Sequence, residues 1–279
     1  VVVRHHRCEG GGRAIQGRSV VVRKNCKETV SVNANYYVDK VSAASIDVVT
    51  TASPYTERRT EKSIGIDYLE GKSIYSLAYT NSEENDFTAE ALNFSLSQDF
   101  FGDLTTLSLG YGIGEDEVRR TGDPDFEREA SRKRFRFGWT QVLTPDLITS
   151  LTHELISDEG YLNNPYRSVR YSTGGGTSTQ PERYPDTRTS ESTALRAGYY
   201  LPWKASAKAE VRWFQDSWGI DARDWQLTFI QPFLDNWEFE LRYRQYTQSD
   251  ADFYADLFPF QDAQNFLARD KELSTYDSD

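Results

Sequence analysis

The chain has 279 residues, with 32 basic against 43 acidic side chains, a formal net charge of −11 and a mean hydropathy of −0.67. Only 38% of the residues are hydrophobic, so a large oily core is not expected, yet 14% aromatic is too many for a solvated, disordered coil. No apolar run approaches the roughly 18 residues of a transmembrane helix, and the acidic balance argues against a nucleic-acid partner, which wants a basic surface. A chain that is polar on average but rich in aromatics has the profile of a membrane β-barrel, where half the strand positions face water.

The sequence opens VVVRHHRCEGGGR. The cluster His5-His6-x-Cys8 lacks the second ligand pair that makes a zinc spacing specific, so no metal and no cofactor are assigned. Cys8 and Cys26 are the two cysteines; an oxidising compartment would allow one disulfide between them, though the spacing does not demand it. Residues 1–27 are read as a poorly defined N-terminal segment and 28–279 as a barrel domain. The chain starts at Val1, contains no Met and ends in the polar stretch ARDKELSTYDSD. It is read as a processed or incomplete piece, with the barrel unfinished at its C-terminal end.

From Val30 onward side chains alternate with period two, the signature of a strand with two unlike faces. Val30, Val32, Ala34, Tyr36 and Val38 share one face; Ser31, Asn33, Asn35 and Asp39 share the other. RFRFGWT sets Phe135, Phe137 and Trp139 against Arg134, Arg136 and Thr140. Leu195, Ala197, Tyr199 and Leu201 alternate with Arg196 and Gly198, and Val211 and Trp213 with Glu210 and Arg212. Trp237, Phe239, Leu241 and Tyr243 alternate with Glu238, Glu240, Arg242 and Arg244.

A soluble sandwich also alternates, so the connections matter. LEGKS, QDFFGD, LTPD, LPWKA and FLDN are short. Between them come NSEEND, about twenty residues around GEDEVRRTGDPDFEREASRKR, about thirty from DEGYLNNPYR to PDTRT, and a long stretch after Tyr246. Outer-membrane barrels have this asymmetry of tight turns and long external loops. Phe100, Phe101, Trp203, Trp218, Trp225 and Trp237 fall near strand ends, where an interfacial girdle belongs. The prediction is an all-β, antiparallel transmembrane barrel of the outer-membrane type. About eleven strands are visible, and because such barrels close with even numbers, twelve or more are expected in the whole.

The segments NYYVDKVSAASIDVVTTASPYTERRTE, SEENDF, SQDFFGDLTTLSLGYG, TQVLTPD, SDEGYLNNPYRSVRY, YPDTRTS, ADFYADLFP and QNFLARDKELS resemble the bacterial family named domain of unknown function 3570. The resemblance runs from about Gly10 to the last residue. It implies a bacterial outer-membrane location and a barrel, with members that continue beyond the point where this chain stops. It brings no catalytic residues, because none are assigned in the family.

With the apolar faces turned to lipid, Asp67, Glu90, Arg134, Arg136, Arg196, Lys208, Glu210, Arg212, Glu238, Glu240, Arg242 and Arg244 point inward. They either line a water-filled pore for small solutes or ions, or pair across strands and fill the interior. The loop DEGYLNNPYRSVRY carries Asp158, Glu159, Tyr161, Asn163, Asn164, Pro165, Tyr166 and Arg167, with Asn163-Asn164-Pro165 as a turn signal. It either constricts the pore or meets a partner, or is held by its own hydrogen bonds; the following STGGGTSTQ reads as a flexible tip. His153 in SLTHELIS has Ser150 and Ser157 nearby, both read as lying on the other strand face, so a Ser–His–acid hydrolase is not expected. The acid runs Glu83-Glu84-Asn85-Asp86, Gly114-Glu115-Asp116-Glu117 and Asp250-Ala251-Asp252 lack calcium-loop spacing and read as solvated charge. The functional expectation is a non-enzymatic outer-membrane channel or transport component; the alternative is a scaffold that sheathes a periplasmic partner.

Overall fold

The computed structural model describes residues 1–10, 13–43, 55–234 and 237–279. Alternating sequence becomes antiparallel strand throughout, and the chain divides into two compact units.

The first unit holds Val1–Leu96 and Tyr111–Ser131. Its strands are β1 (Val2–Gly10), β2 (Arg13–Cys26), β3 (Val30–Ala43), β4 (Tyr55–Glu70) and β5 (Ser73–Glu83), each paired antiparallel with the one before. Parts of β6 (Phe87–Phe100), β7 (Thr105–Arg120) and β8 (Asp123–Thr144) complete it. Residues 1–27 are therefore mostly strand. Cys26 is a free thiol. In the register Cys8 lies opposite Ile15, eleven residues before Cys26 on β2 and about 36 Å away at the strand rise, so no disulfide joins the two. The side chains of His6 and Cys8 lie outside the described residues.

The second unit holds Ser97–Gly110 and Arg132–Asp279. Here β9 (Leu147–Gly160) pairs with β12 (Thr187–Tyr200), followed by β13 (Ser206–Asp216), β14 (Asp221–Phe233), β15 (Trp237–Gln248) and the short β16 (Tyr276–Ser278). Between β9 and β12 the chain forms a separate hairpin of β10 (Ser168–Thr173) and β11 (Gly176–Pro181). The long strands from Val30 on are β3 to β9 and β12 to β15, the eleven read from the alternation. The sequence reading lacked β1, β2, the hairpin and β16.

Two expected loops are corrected. GEDEVRRTGDPDFEREASRKR is the top of β7 and β8, joined at Thr121-Gly122 with Gly122 at φ 86°. A two-residue turn with glycine at positive φ suits a tight hairpin. The stretch STGGGTSTQ forms most of the β10–β11 hairpin, so only Gly174-Gly175 is its tip.

Burial is inverted relative to a soluble sheet. The large apolar side chains of the strands stand exposed: Tyr36, Ile64 and Ile66 in the first unit, Leu195, Trp213, Leu227, Phe239, Leu241 and Tyr243 in the second. The described hydrophobic core lies instead among the long connections of the second unit, where Tyr184, Trp218, Ile220, Ala251, Phe253, Ala268 and Leu273 cluster beside Val169, Phe258 and Leu267. Trp218 is 5% exposed in this core. It is thus not a girdle residue, whereas Phe100, Phe101, Trp203 and Trp237 are exposed.

Candidate functional site

The register fixes which side chains share a face. On the second unit, Ser150, Arg196, Glu210, Gln226 and Arg244 form one rung across β9, β12, β13, β14 and β15. Ala194, Arg212, Asp224 and Tyr246 form the next rung toward the long loops; Gly198, Lys208, Thr228 and Arg242 form the next toward the short turns. The opposite face of the same strands carries Leu195, Val211, Trp225, Leu227, Leu241 and Tyr243.

The charges on this polar face are organised. Glu210 takes a two-pronged grip from Arg196, Nε to Oε2 at 2.7 Å and Nη2 to Oε1 at 3.1 Å, and a third bond from Arg212 at 2.9 Å. Arg244 holds Asp224 the same way, at 2.9 and 2.7 Å. Arg242 pairs with Glu240 at 2.7 Å, and Arg134 approaches Glu154 at 4.0 Å. Planar guanidinium forks fit carboxylates bidentately, so these contacts fix orientation as well as charge. Arg136, Lys208 and Glu238 have no ion pair among the described residues. Two cavities of about 300 Å³ open on this face, one beside Lys208, Arg196 and Gln226, the other beside Arg212, Asp224 and Arg244.

The first unit repeats the pattern. Asp67 accepts from Arg23 at 2.5 Å and from Ser76 at 2.7 Å. Glu90 does not point inward as expected: on β6 it keeps step with the exposed Leu92 and Phe94, and it accepts at 3.3 Å from Asn81, which shares its face with the exposed Tyr79, so it stands on the apolar face. Asp224, Glu154 and Gln226 were missed in the sequence, although period-two counting from Thr228 reaches both Gln226 and Asp224.

The loop residues are knitted into the fold. Asp158 accepts from Arg132 at 2.5 Å, and Glu159 sits opposite Thr187 at the end of β9. Asn163 donates to the Glu182 carbonyl at 3.1 Å and accepts from the Tyr184 amide at 2.8 Å. Asn164 caps the turn through Pro165 by accepting from the Tyr166 amide at 3.0 Å, and Arg167 pairs with Asp270 at 2.7 Å. Tyr161 also has bonded contacts. The buried Glu182 carboxylate accepts from the Tyr184 hydroxyl at 2.6 Å and the Arg269 amide at 2.8 Å. Burial, then that hydrogen bond, pushes the Tyr184 hydroxyl well above its ordinary range. At the surface Lys271 and then Tyr254 hold the Asp256 carboxyl below its ordinary range.

His153 faces outward, with Nδ1 3.0 Å from the Thr193 hydroxyl and Nε2 3.8 Å from Glu191. Ser150 lies on the other face, as expected. Ser157 does not: four residues on, it shares the face of His153, since even spacing preserves sides. It stands about 13 Å away along the strand, too far for a nucleophile–base pair. No cluster of metal-ligating side chains occurs among the described residues.

An antiparallel meander with its charges on one face and its apolar side chains exposed on the other is the architecture of the outer-membrane β-barrels. Within that class, the chain belongs to the family described as protein of unknown function (DUF3570), whose model matches residues 25–137 and 124–278. Comparison with curated protein sequences gave no match. Among solved structures, the chain is similar to the FrpB iron transporter from Neisseria meningitidis, at 11% identity and a TM-score of 0.46. That match covers 88% of this chain, which spans about half (52%) of the transporter. The NanC porin is similar at 13% identity and a TM-score of 0.35, over 88% of this chain and 96% of the porin. A bacterial polysaccharide outer membrane secretin is similar at 8% and 0.37, over 88% and 86%.

Proposed function

We propose that this protein is a bacterial outer-membrane barrel that acts as a passive channel or transport component, its polar face lining a water-filled interior. The observation that carries the reading is the inverted burial: Leu227 is 51% and Leu241 59% exposed on one face, while Glu210 and Asp224 are sheltered on the other. In water those exposed side chains would form an aggregation-prone surface; in a bilayer they meet lipid. Charges engaged in bidentate pairs form a structured wall, and mixed charge along such a wall sets ion selection. On this reading the protein needs no catalytic residue and no cofactor.

The test is membrane fractionation followed by planar-bilayer recording of the folded, full chain. Steady, ohmic conductance from protein found in the outer membrane is expected. Silence from protein shown to be folded would overturn the channel and turn attention to a scaffold that waits for a periplasmic partner.

A further inference from the structure

The cavity beside Lys208 differs from the rest of the polar wall. Glu210 is the carboxylate nearest in sequence on this face, and both its oxygens are already engaged by Arg196 and Arg212. One carboxylate thus serves two of the three cations around it, and Lys208 is left with no ion pair among the described residues. Opposite Lys208 in the register stands Gly198, which offers no side chain; a Cβ there would touch only Ile148, at 3.4 Å. The missing side chain leaves the cavity of about 300 Å³ open beside the ammonium group. Its other lining groups include Ser150, Thr140, Gln226 and Thr228, which supply hydroxyls and an amide.

We propose that this cavity is a binding station for small hydroxylated carboxylates, with the Lys208 ammonium as the anion anchor. A compact ammonium with three donors takes a carboxylate in any orientation, and the neutral groups around it can both donate to and accept from hydroxyls. The excess positive charge is local, set in a chain of net charge −11, so it marks this spot for anions and not the whole wall. The neighbouring cavity, lined by Glu154, Glu191 and Asp224 as well as Arg212 and Arg244, has no such excess. The proposal rests on the channel reading, because it gives that channel its solute class.

Two measurements separate the failure of one from the failure of the other. Calorimetric titration of sodium gluconate into the folded, detergent-solubilised protein reads the station whether or not it conducts. Binding near 1 mM is expected, weakened about tenfold or more in Lys208→Gln and in the cavity-filling Gly198→Leu. Arg223→Gln, on the opposite face across from Trp213, should leave it unchanged. No binding to folded protein, or equal binding to Lys208→Gln, overturns the proposal. In bilayers, the chloride-to-potassium permeability ratio should fall about threefold in Lys208→Gln and about tenfold in Lys208→Glu. Conductance with an unchanged ratio would overturn the station and leave the channel standing, whereas binding without conductance would do the reverse.

Discussion

Glu182 is a carboxylate at 4% exposure, and a buried charge persists only where donors replace water. Tyr184 and the Arg269 amide supply them. Because the folded state raises the Tyr184 pKa above its unfolded value of 10.0, the proton it shares with Glu182 stabilises the fold fully below about pH 10. That contribution is lost progressively as the pH climbs past 10. Limited proteolysis within residues 249–275 should therefore accelerate steeply above pH 10. Tyr184→Phe should cost about 1–3 kcal/mol at neutral pH by leaving one Glu182 oxygen without its donor, and should flatten the alkaline rise. A variant whose digestion follows the wild-type profile would show that this bond does not hold the segment.

At the scale of elements, the turn between β13 and β14 is the anchor for the segment after β15. The Trp218 ring lies 5.4 Å from Tyr184 and 5.3 Å from Phe253, under the Arg188 guanidinium at 4.5 Å. The Trp218 carbonyl accepts the Asp252 amide at 2.9 Å. Next to it, Gly219 has φ 89°, and a Cβ there would fall 2.4 Å from an Asp252 oxygen. Gly219→Ala is thus strained twice, by backbone and by contact. Amide exchange at Ala251, Asp252 and Tyr254 should rise about tenfold or more, while the β12–β13 ladder keeps its protection. Equal acceleration in both places would mean that the cap and the sheet open as one unit. None of this was legible in the sequence, where Trp218 read as a strand-end aromatic of the girdle and the stretch after Tyr246 as a long connection. The apolar residues there follow no period, since irregular backbone packs side chains by contact and not by alternation. The tops of β7 and β8 were missed for a related reason: charged residues occupy both faces of GEDEVRRTGDPDFEREASRKR, so alternation carries no hydrophobic signal there.

At the scale of the whole chain, the exposed apolar band was readable because it recurs with period two along each strand. Val30 to Val38 and Trp237 to Tyr243 therefore revealed their faces without a partner strand. The pairing of charges was not readable in the same way. Arg196 and Glu210 lie fourteen residues apart, and only the turn length and register bring them opposite each other. The same register supplies the sharpest test of which face meets lipid. Gln226 and Leu227 are neighbours on β14, one opposite Glu210 and Arg244, the other opposite Ala209 and Tyr243. Leu227→Arg would place a charge in hydrocarbon, costing about 2–4 kcal/mol near the midplane, and should block assembly into bilayers. Gln226→Arg adds the same side chain one residue earlier, beside the Asp224 and Glu210 carboxylates, and should assemble as the parent does. Folding yields in lipid vesicles, read by heat-modifiable gel mobility, compare the two directly. If Gln226→Arg fails and Leu227→Arg assembles, the polar face is the packed one, the apolar face is turned to water, and the membrane reading falls with it.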